Sequence, residues 1–314
     1  MNGFVNGHPA SVWRTLAVAL VGCGAVAHHL YAPALRELER VGSVRVVALF
    51  DPSAGQMASL RRTFPRAIPY GTLEAVVQQP IDLAIVASPP RFHAEQSIRL
   101  LEAGVAVLCE KPMATTVAEG ERMVAAAAAA GQVLATGLMR RFFPATQTIR
   151  QVLAQGILGK VQSFVCQEGD HFRWPAQSAS FFQRTVASGG VLLDIGVHLL
   201  DLLIWWWGPP VEVAYEDDSM GGVEANCRIQ LRFAEGHSGE VRLSRDWPLS
   251  NRYLIECEQG WLSWRVNEAA KVQLGFTGVE HALDGVLHQP APAAKQAELG
   301  QPGFTFEQSF LHQL

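Results

Sequence analysis

The sequence predicts two successive folds: an α/β domain on a doubly wound parallel sheet, then an α+β domain with a large, mostly antiparallel open sheet. Three observations carry this. The 314 residues are what about two domains of ~100–200 residues each require. Through the first part of the chain, short and wholly apolar runs alternate with helical spacing, the pattern of parallel strands covered on both faces. Beyond Lys160 the hydrophobic period drops to two, as in strands with one buried face. Residues 1–14, containing Gly, Asn, His and Pro without period, read as a loose arm. Residues 15–140 then form the parallel domain and 141–314 the second.

In the first domain, Leu16–Val21, Val44–Phe50, Asp82–Ala87, Val105–Cys109 and Val133–Thr136 are strand-like. Between them Ala27–Arg40, Ala54–Thr63, Leu73–Gln78, Arg91–Ala103 and Val117–Ala130 have helical spacing. The last ends in six alanines, which a packed helix explains because alanine is the best helix former. After Pro144, Thr146–Gln155 still reads as helix, and Val191–Trp206 is a strong apolar helix among strands. Ala225–Phe233 alternates Cys227, Ile229, Leu231 and Phe233 against Asn226, Arg228, Gln230 and Arg232, a half-buried strand. Glu235-Gly236-His237 turns it into Ser238–Ser244, and Tyr253–Cys257 pairs with Trp261–Val266 around Gln259-Gly260. The polar face of this sheet is either solvated or part of a subunit interface. Thr305–Leu314 starts a helical pattern and stops with Phe310, Leu311 and Leu314 still apolar, which reads as a truncated product.

Composition excludes several classes. At 49% hydrophobic and 17% charged, the chain is not intrinsically disordered. A net charge of −4 from 25 basic and 29 acidic residues gives no footprint for nucleic acid or an anionic membrane, both of which need clustered Lys and Arg. The apolar block Val191–Trp207 contains Asp194, His198 and Asp201, which argues against a membrane span. The five cysteines are scattered and never spaced C-x-x-C, so they suit a reducing cytoplasm rather than a disulfide framework or a zinc site.

Four constellations carry chemistry. Gly22-Cys23-Gly24-Ala25-Val26-Ala27 follows the first strand and opens a helix. The first glycine permits the tight turn, the second lets backbone approach a pyrophosphate, and small Ala27 lets helix and strand pack closely. The helix start, with Ala25 and Val26, would offer free N–H groups to phosphates. A glycine-rich βα turn without a ligand is the alternative. Asp51 ends the second strand, where a carboxylate accepts bonds from the adenosine ribose and repels a 2′-phosphate. This favours NAD, with NADP as the alternative, while Asp51 as a turn residue before Pro52 remains open.

Ser88-Pro89-Pro90 and Glu110-Lys111-Pro112 follow the third and fourth of these strands, on the side where open α/β sheets bind ligands. Lys111, partly desolvated there, is suited to steering or moving a proton, although an exposed strand-end lysine fits the segment equally well. In Gly189-Gly190-Val191-Leu192-Leu193-Asp194-Ile195-Gly196-Val197-His198-Leu199-Leu200-Asp201, the spacing puts Asp194, His198 and Asp201 on one helical face. Such a stripe on an apolar helix is costly unless the groups work or pair. His198 is the natural acid/base, with a carboxylate one turn away to orient it and support its imidazolium. A metal site and a buried structural histidine are the alternatives; no metal is expected, since the H-E-x-x-H spacing is missing.

Together, the Gly22 turn, the Glu110-Lys111-Pro112 loop and the Gly189–Asp201 segment, in this order, resemble the glucose-fructose oxidoreductase / inositol dehydrogenase / rhizopine catabolism family, Gfo/Idh/MocA. The resemblance spans roughly Leu16 to Val266. It implies a dinucleotide-binding Rossmann domain and a second domain whose open sheet makes homodimers or homotetramers. It implies Lys111, Asp194 and His198 as the catalytic set, with Ser88, Pro89, His93, Glu110, Arg140 and Lys111 itself as further cofactor contacts. The implied activity is NAD(P)-dependent hydride transfer between nicotinamide and a carbinol or keto carbon of a sugar, cyclitol or nucleotide-sugar. Two other activities fit the resemblance: NAD-dependent glycoside cleavage by oxidation and elimination, and a non-catalytic dinucleotide sensor. His171-Phe172-Arg173-Trp174 and Arg245-Asp246-Trp247 could line the sugar site, with His171, Arg173 and Trp174 as candidates; ordinary loop anchoring explains them as well.

Overall fold

The computed structural model describes residues 14–171, 189–220, 222–266, 268–286, 309–310 and 313–314. Its first sheet has six parallel strands: β1 (Leu16–Val21), β2 (Val44–Phe50), β3 (Ile68–Tyr70), β4 (Leu83–Val86), β5 (Ala106–Cys109) and β6 (Leu134–Thr136). Their order is β3-β2-β1-β4-β5-β6, so the chain reverses direction across the sheet between β1 and β4. The central strands β1, β4 and β5 are mostly buried, as their unbroken apolar runs require, while the edge strands β3 and β6 are not.

Helices α1 (Ala32–Arg40), α2 (Ala54–Thr63), α3 (Leu73–Val77), α4 (His93–Glu102) and α5 (Val117–Ala130) cover it. In α5, Thr116 and Glu119 close a capping box and Gly131 ends the helix at φ 61°. The six alanines thus lie in a helix stopped at both ends by its own sequence. The predicted helix from Ala27 departs from expectation: Ala27–Tyr31 is a π-turn and only then does α1 begin. The sequence pattern also passes over β3, a short edge strand containing Pro69, which edges tolerate because no ladder N–H is needed there.

The second sheet has eight strands: β7 (Val161–Gly169), β8 (Pro210–Asp217), β9 (Asn226–Phe233), β10 (Ser238–Ser244), β11 (Arg252–Cys257), β12 (Gly260–Arg265), β13 (Lys271–Phe276) and β14 (Leu283–Val286). Their order is β14-β13-β12-β11-β7-β10-β9-β8, antiparallel except where β7 meets β10. Helix α6 (Pro144–Ala154) and helix α7 (Val197–Trp207) pack against the inner face, on Phe164, Ile229, Val241, Tyr253 and Trp264. This core continues beneath β1 and β2 as one apolar cluster, so the two sheets share an interior. The outer face carries Arg228 and Arg242 on Glu240 and Arg232 on Glu212, exposed pairs that add little stability by themselves. Among the described residues no helix is long and apolar enough to cross a membrane.

The β9–β10 turn buries His237. Its ring stacks on Phe233 at 5.1 Å and meets Trp207 edge-on at 4.8 Å, and neither ring nitrogen has a hydrogen-bond partner among the described residues. Burial holds this imidazole below its ordinary pKa of 6.5. The unfolded chain therefore takes up the proton first as pH falls through 6.5, and stability is lost on the acid side. His237→Phe is expected to raise the Tm by calorimetry, by the equivalent of about 1–3 kcal/mol for two orphaned polar atoms, and more at acid than at alkaline pH. An equal shift at both ends would refute the assignment.

Candidate active site

The site lies where the first sheet reverses order. Gly22 sits at φ +93°, and a Cβ there would stand 2.4 Å from the Ser88 amide nitrogen, so only glycine lets the β1 and β4 loops touch. At Gly24 a Cβ would meet nothing within 4 Å. The turn is therefore open on that side, in front of a helix start whose first N–H groups lack intrahelical acceptors. Buried Ala27 packs the helix against the sheet, as its small size predicts. Asp51 Oδ2 accepts from the Cys23 amide at 2.9 Å and Oδ1 from the Ser53 amide at 2.8 Å. It is both a turn residue and the carboxylate at the glycine loop.

Three of the expected cofactor contacts have partners within the protein. His93 is buried, with Nδ1 2.8 Å from the Pro112 carbonyl and Nε2 2.7 Å from the Ser88 carbonyl. It pins the β4 and β5 loops together, and burial lowers its pKa against the opposing effect of those carbonyls. Glu110 accepts from the Tyr31 hydroxyl at 2.7 Å and from the Lys111 amide at 3.0 Å. Tyr31 in turn takes a bond from Gln313 Nε2 at 2.9 Å and the edge of Phe310. Arg140 is buried and gives both terminal nitrogens to Glu168, at 2.6 and 2.9 Å, with Tyr253 beside them. A buried guanidinium must find a carboxylate, and the nearest one belongs to β7. Ser88 Oγ donates to Gln96 at 2.6 Å, and Pro89 stays exposed at the loop tip.

Lys111 does reach the second domain. Its Nζ donates to Asp194 Oδ1 at 3.0 Å and to the Asp194 carbonyl at 2.9 Å, while Arg245 Nη2 takes Oδ2 at 2.9 Å. Burial pushes the Asp194 carboxyl up, but Lys111 and Arg245 outweigh it and hold the group below its ordinary 3.8. His198 is half-buried, and its Nδ1 is enclosed without a partner among the described residues. Burial, then the charges of Lys111 and Arg140, hold it well below 6.5, so the ring is neutral. The expected carboxylate support for an imidazolium is therefore not what forms here.

The Asp194/His198/Asp201 stripe also divides. Asp201 pairs with Arg141, whose Nε lies 2.8 Å from Oδ2. Leu192–Gly196 is a π-turn ahead of α7, so spacing counted on an α-helix misplaces Asp194 relative to His198. The glycines explain how that turn is held. A Cβ on Gly190 would fall 2.0 Å from the Glu224 carbonyl oxygen, and one on Gly196 2.6 Å from Leu243 Cδ1. Glu224 closes the turn from β9's side, accepting from the Gly190 and Leu192 amides at 2.9 and 3.1 Å. Glu224 stands in no motif of the sequence, and Arg245 reads there only as part of a candidate substrate loop. Of the substrate candidates, His171 is exposed, while Arg173 and Trp174 lie outside the described residues. No group of three or more His, Cys, Asp or Glu suited to a metal ion gathers among the described residues.

Two family models match this architecture. The one described as "Oxidoreductase family, NAD-binding Rossmann fold" covers residues 16–138, and the "GFO/IDH/MocA C-terminal domain" covers residues 146–263. The chain belongs to the Gfo/Idh/MocA family. Lys111 falls in the first matched region; Asp194, His198 and Arg245 fall in the second. Among Gfo/Idh/MocA relatives, the chain is 32% identical over 200 residues to D-glucoside 3-dehydrogenase of Escherichia coli (strain K12), covering 62% of this chain and 55% of that protein. It is 30% identical over 221 residues to trans-1,2-dihydrobenzene-1,2-diol dehydrogenase of Bos taurus, covering 69% and 64%. The chain thus spans 55–64% of the length of these relatives. Among solved structures, an aldose-aldose oxidoreductase from Caulobacter crescentus superposes with a TM-score of 0.78 at 25% identity, covering 96% and 94%. Levoglucosan dehydrogenase with NADH and levoglucosan gives a TM-score of 0.80 at 20% identity, covering 95% and 87%, a likeness of fold.

Proposed function

We infer that the chain is an NAD-dependent dehydrogenase or reductase acting on a carbinol or keto carbon of a sugar, cyclitol or nucleotide-sugar, with Lys111, Asp194 and His198 as its catalytic residues. The observation that carries this reading is the meeting of Lys111 from the first sheet's loops with Asp194 from the second domain, 3.0 Å apart, outside the carboxyl end of β5 and beside neutral His198. Sugar-directed activities among the relatives' names support the substrate class. The division at residues 15–140 and 141–314 is read with it.

The open side of Gly24 fits a pyrophosphate. Gly22, Gly24, Ala25 and Val26 would hold it, with Asp51 on the ribose and Ser88 and Pro89 along the neighbouring loop. When bound, the nicotinamide accepts or returns the hydride. His198, neutral, is in the form that takes a hydroxyl proton. Lys111 steers the substrate oxygen and offsets the charge developing on it, while Asp194 holds Lys111 in place.

Titrating the purified protein with NAD and NADP, then following nicotinamide absorbance against sugars, cyclitols and nucleotide-sugars, tests the reading. Absorbance change with one polyol class supports it. Release of a free glycone without net redox change would replace it with oxidation and elimination, and tight cofactor binding with no turnover would replace it with a sensor. Asp51 supports a preference for NAD. Asp51→Ser is expected to weaken NAD binding by about tenfold, ~1.4 kcal/mol, and to narrow the gap to NADP in the same titration; an unchanged ratio would remove Asp51 from cofactor choice. The outer face of the second sheet, with exposed Val165 among its ion pairs, supports self-association through that face, which sedimentation of the same sample reads as a mass above one chain. Five free, buried cysteines support a reducing compartment such as the cytoplasm.

A further inference from the structure

Asp194 is held from two sides by cations of different exposure. Lys111 belongs to the loop after β5 in the first sheet, whereas Arg245 follows β10 in the same domain as Asp194. The arginine side chain is 7% exposed and the lysine 21%. The Arg245 amide donates to the Ala225 carbonyl at 2.9 Å, and the π-turn bearing Asp194 packs on β10, where a Cβ on Gly196 would stand 2.6 Å from Leu243 Cδ1. The Arg245–Asp194 bond therefore lies within the second domain. The Lys111–Asp194 bond joins that domain to the first sheet, and the lysine is the more exposed of the two cations.

We propose that Arg245 is a positioning residue of the site, fixing Asp194 through Oδ2 so that Lys111 can leave Oδ1 for the substrate oxygen without stranding the carboxylate. This rests on the catalytic reading of Lys111 and Asp194 given above. A lysine that was the carboxylate's only partner would have to give up its sole ion pair whenever it turned to substrate. With Arg245 in place, Asp194 stays ionised and oriented throughout, and a guanidinium suits the task because its geometry is fixed while the ammonium's is not. The charged or titratable groups around Asp194 are Lys111, Arg245, neutral His198 one turn on, and Glu224 under the start of the π-turn.

The test compares the wild type with Arg245→Gln, Arg245→Lys and Lys111→Met. The ionisation of Asp194 is read directly by its infrared carboxyl band, identified by its loss in Asp194→Asn. In Arg245→Gln the Asp194 carboxyl is expected to protonate at a pH higher by about one unit, and in Arg245→Lys close to the wild-type pH. For turnover, Arg245→Gln is expected to lower kcat by about tenfold or more with a smaller change in KM, and Arg245→Lys to recover most of it. An Asp194 titration in Arg245→Gln that coincides with wild type would overturn the proposal, as would a loss of kcat that Arg245→Lys does not recover. The infrared reading needs no turnover. A protein inactive on every substrate would defeat the dehydrogenase reading while leaving the Arg245–Asp194 result to stand or fall by itself.

Discussion

Lys111→Ala and His198→Ala are each expected to lose about 10²–10⁴-fold in kcat, the range supplied by one positioned proton-transfer group, while the dissociation constant for NAD stays within about twofold. The reason lies in where the two side chains stand. Lys111 ends on Asp194 and not on the glycine turn, and His198 belongs to the second domain's helix, so neither is expected to hold the pyrophosphate or the adenosine ribose that carry most of the affinity. The pH dependence follows from the neutral ring. In the oxidative direction His198 must be unprotonated, and burial with the charges of Lys111 and Arg140 holds its pKa well below 6.5. The rate should therefore be flat through neutrality and fall only on the acid side of 6.5. Replacing Arg140 by Met, which removes one of those charges, should move that limb toward neutral pH. Steady-state kinetics over a pH series measures both. Retained turnover in the two alanine variants would end the catalytic assignment.

Glu168→Gln is expected to cost about 3–5 kcal/mol in urea unfolding, because it leaves a buried guanidinium without its counter-charge. Arg140 and Glu168 have side chains 9% and 4% exposed and meet at 2.6 Å, with Tyr253 against both. Arg140 follows β6 of the first sheet and Glu168 lies in β7 of the second, so the pair is also a strut between them. Burial alone would lower the arginine's pKa, but Glu168 reverses that and holds the charge on. Replacing both partners, Arg140→Met with Glu168→Leu, should recover most of the loss, since apolar substitutes no longer leave a charge unpaired. If the double variant is as unstable as the single, the cost belongs to packing and not to charge.

Much of the scaffold was legible because it is local. Leu16–Val21, Val44–Phe50, Ala54–Thr63, Val117–Ala130 and Ser238–Ser244 fold with the bounds their own patterns predict. Their periodicity, Ser53 and Thr116 at the helix starts and Gly131 at a helix end act within a few residues. β8 gives a weaker signal: Val211, Val213 and Tyr215 alternate, but it lies at a sheet edge with those side chains exposed. The family motifs were legible for the same reason as the strands, since each is a short run.

Partner choice was not legible. Arg140, Glu110 and His93 carry no local signal of their partners, which folding makes Glu168, Tyr31 and two loop carbonyls. Arg141 sits next to Arg140 yet bonds Asp201 on α7. A buried charge or ring nitrogen takes whichever opposite group the packing brings within about 3 Å, and that group stands tens of residues away in the chain. The π-turn at Leu192–Gly196 is a feature of the same kind, because its spacing reads as an α-helix and its neighbours Glu224 and Leu243 stand far along the chain. Short-range sequence therefore set the two sheets, the glycine turn and the presence of Lys111, Asp194 and His198. Tertiary packing alone set which of them touch, because electrostatic pairing in a desolvated interior depends on distance in space and not on distance along the chain.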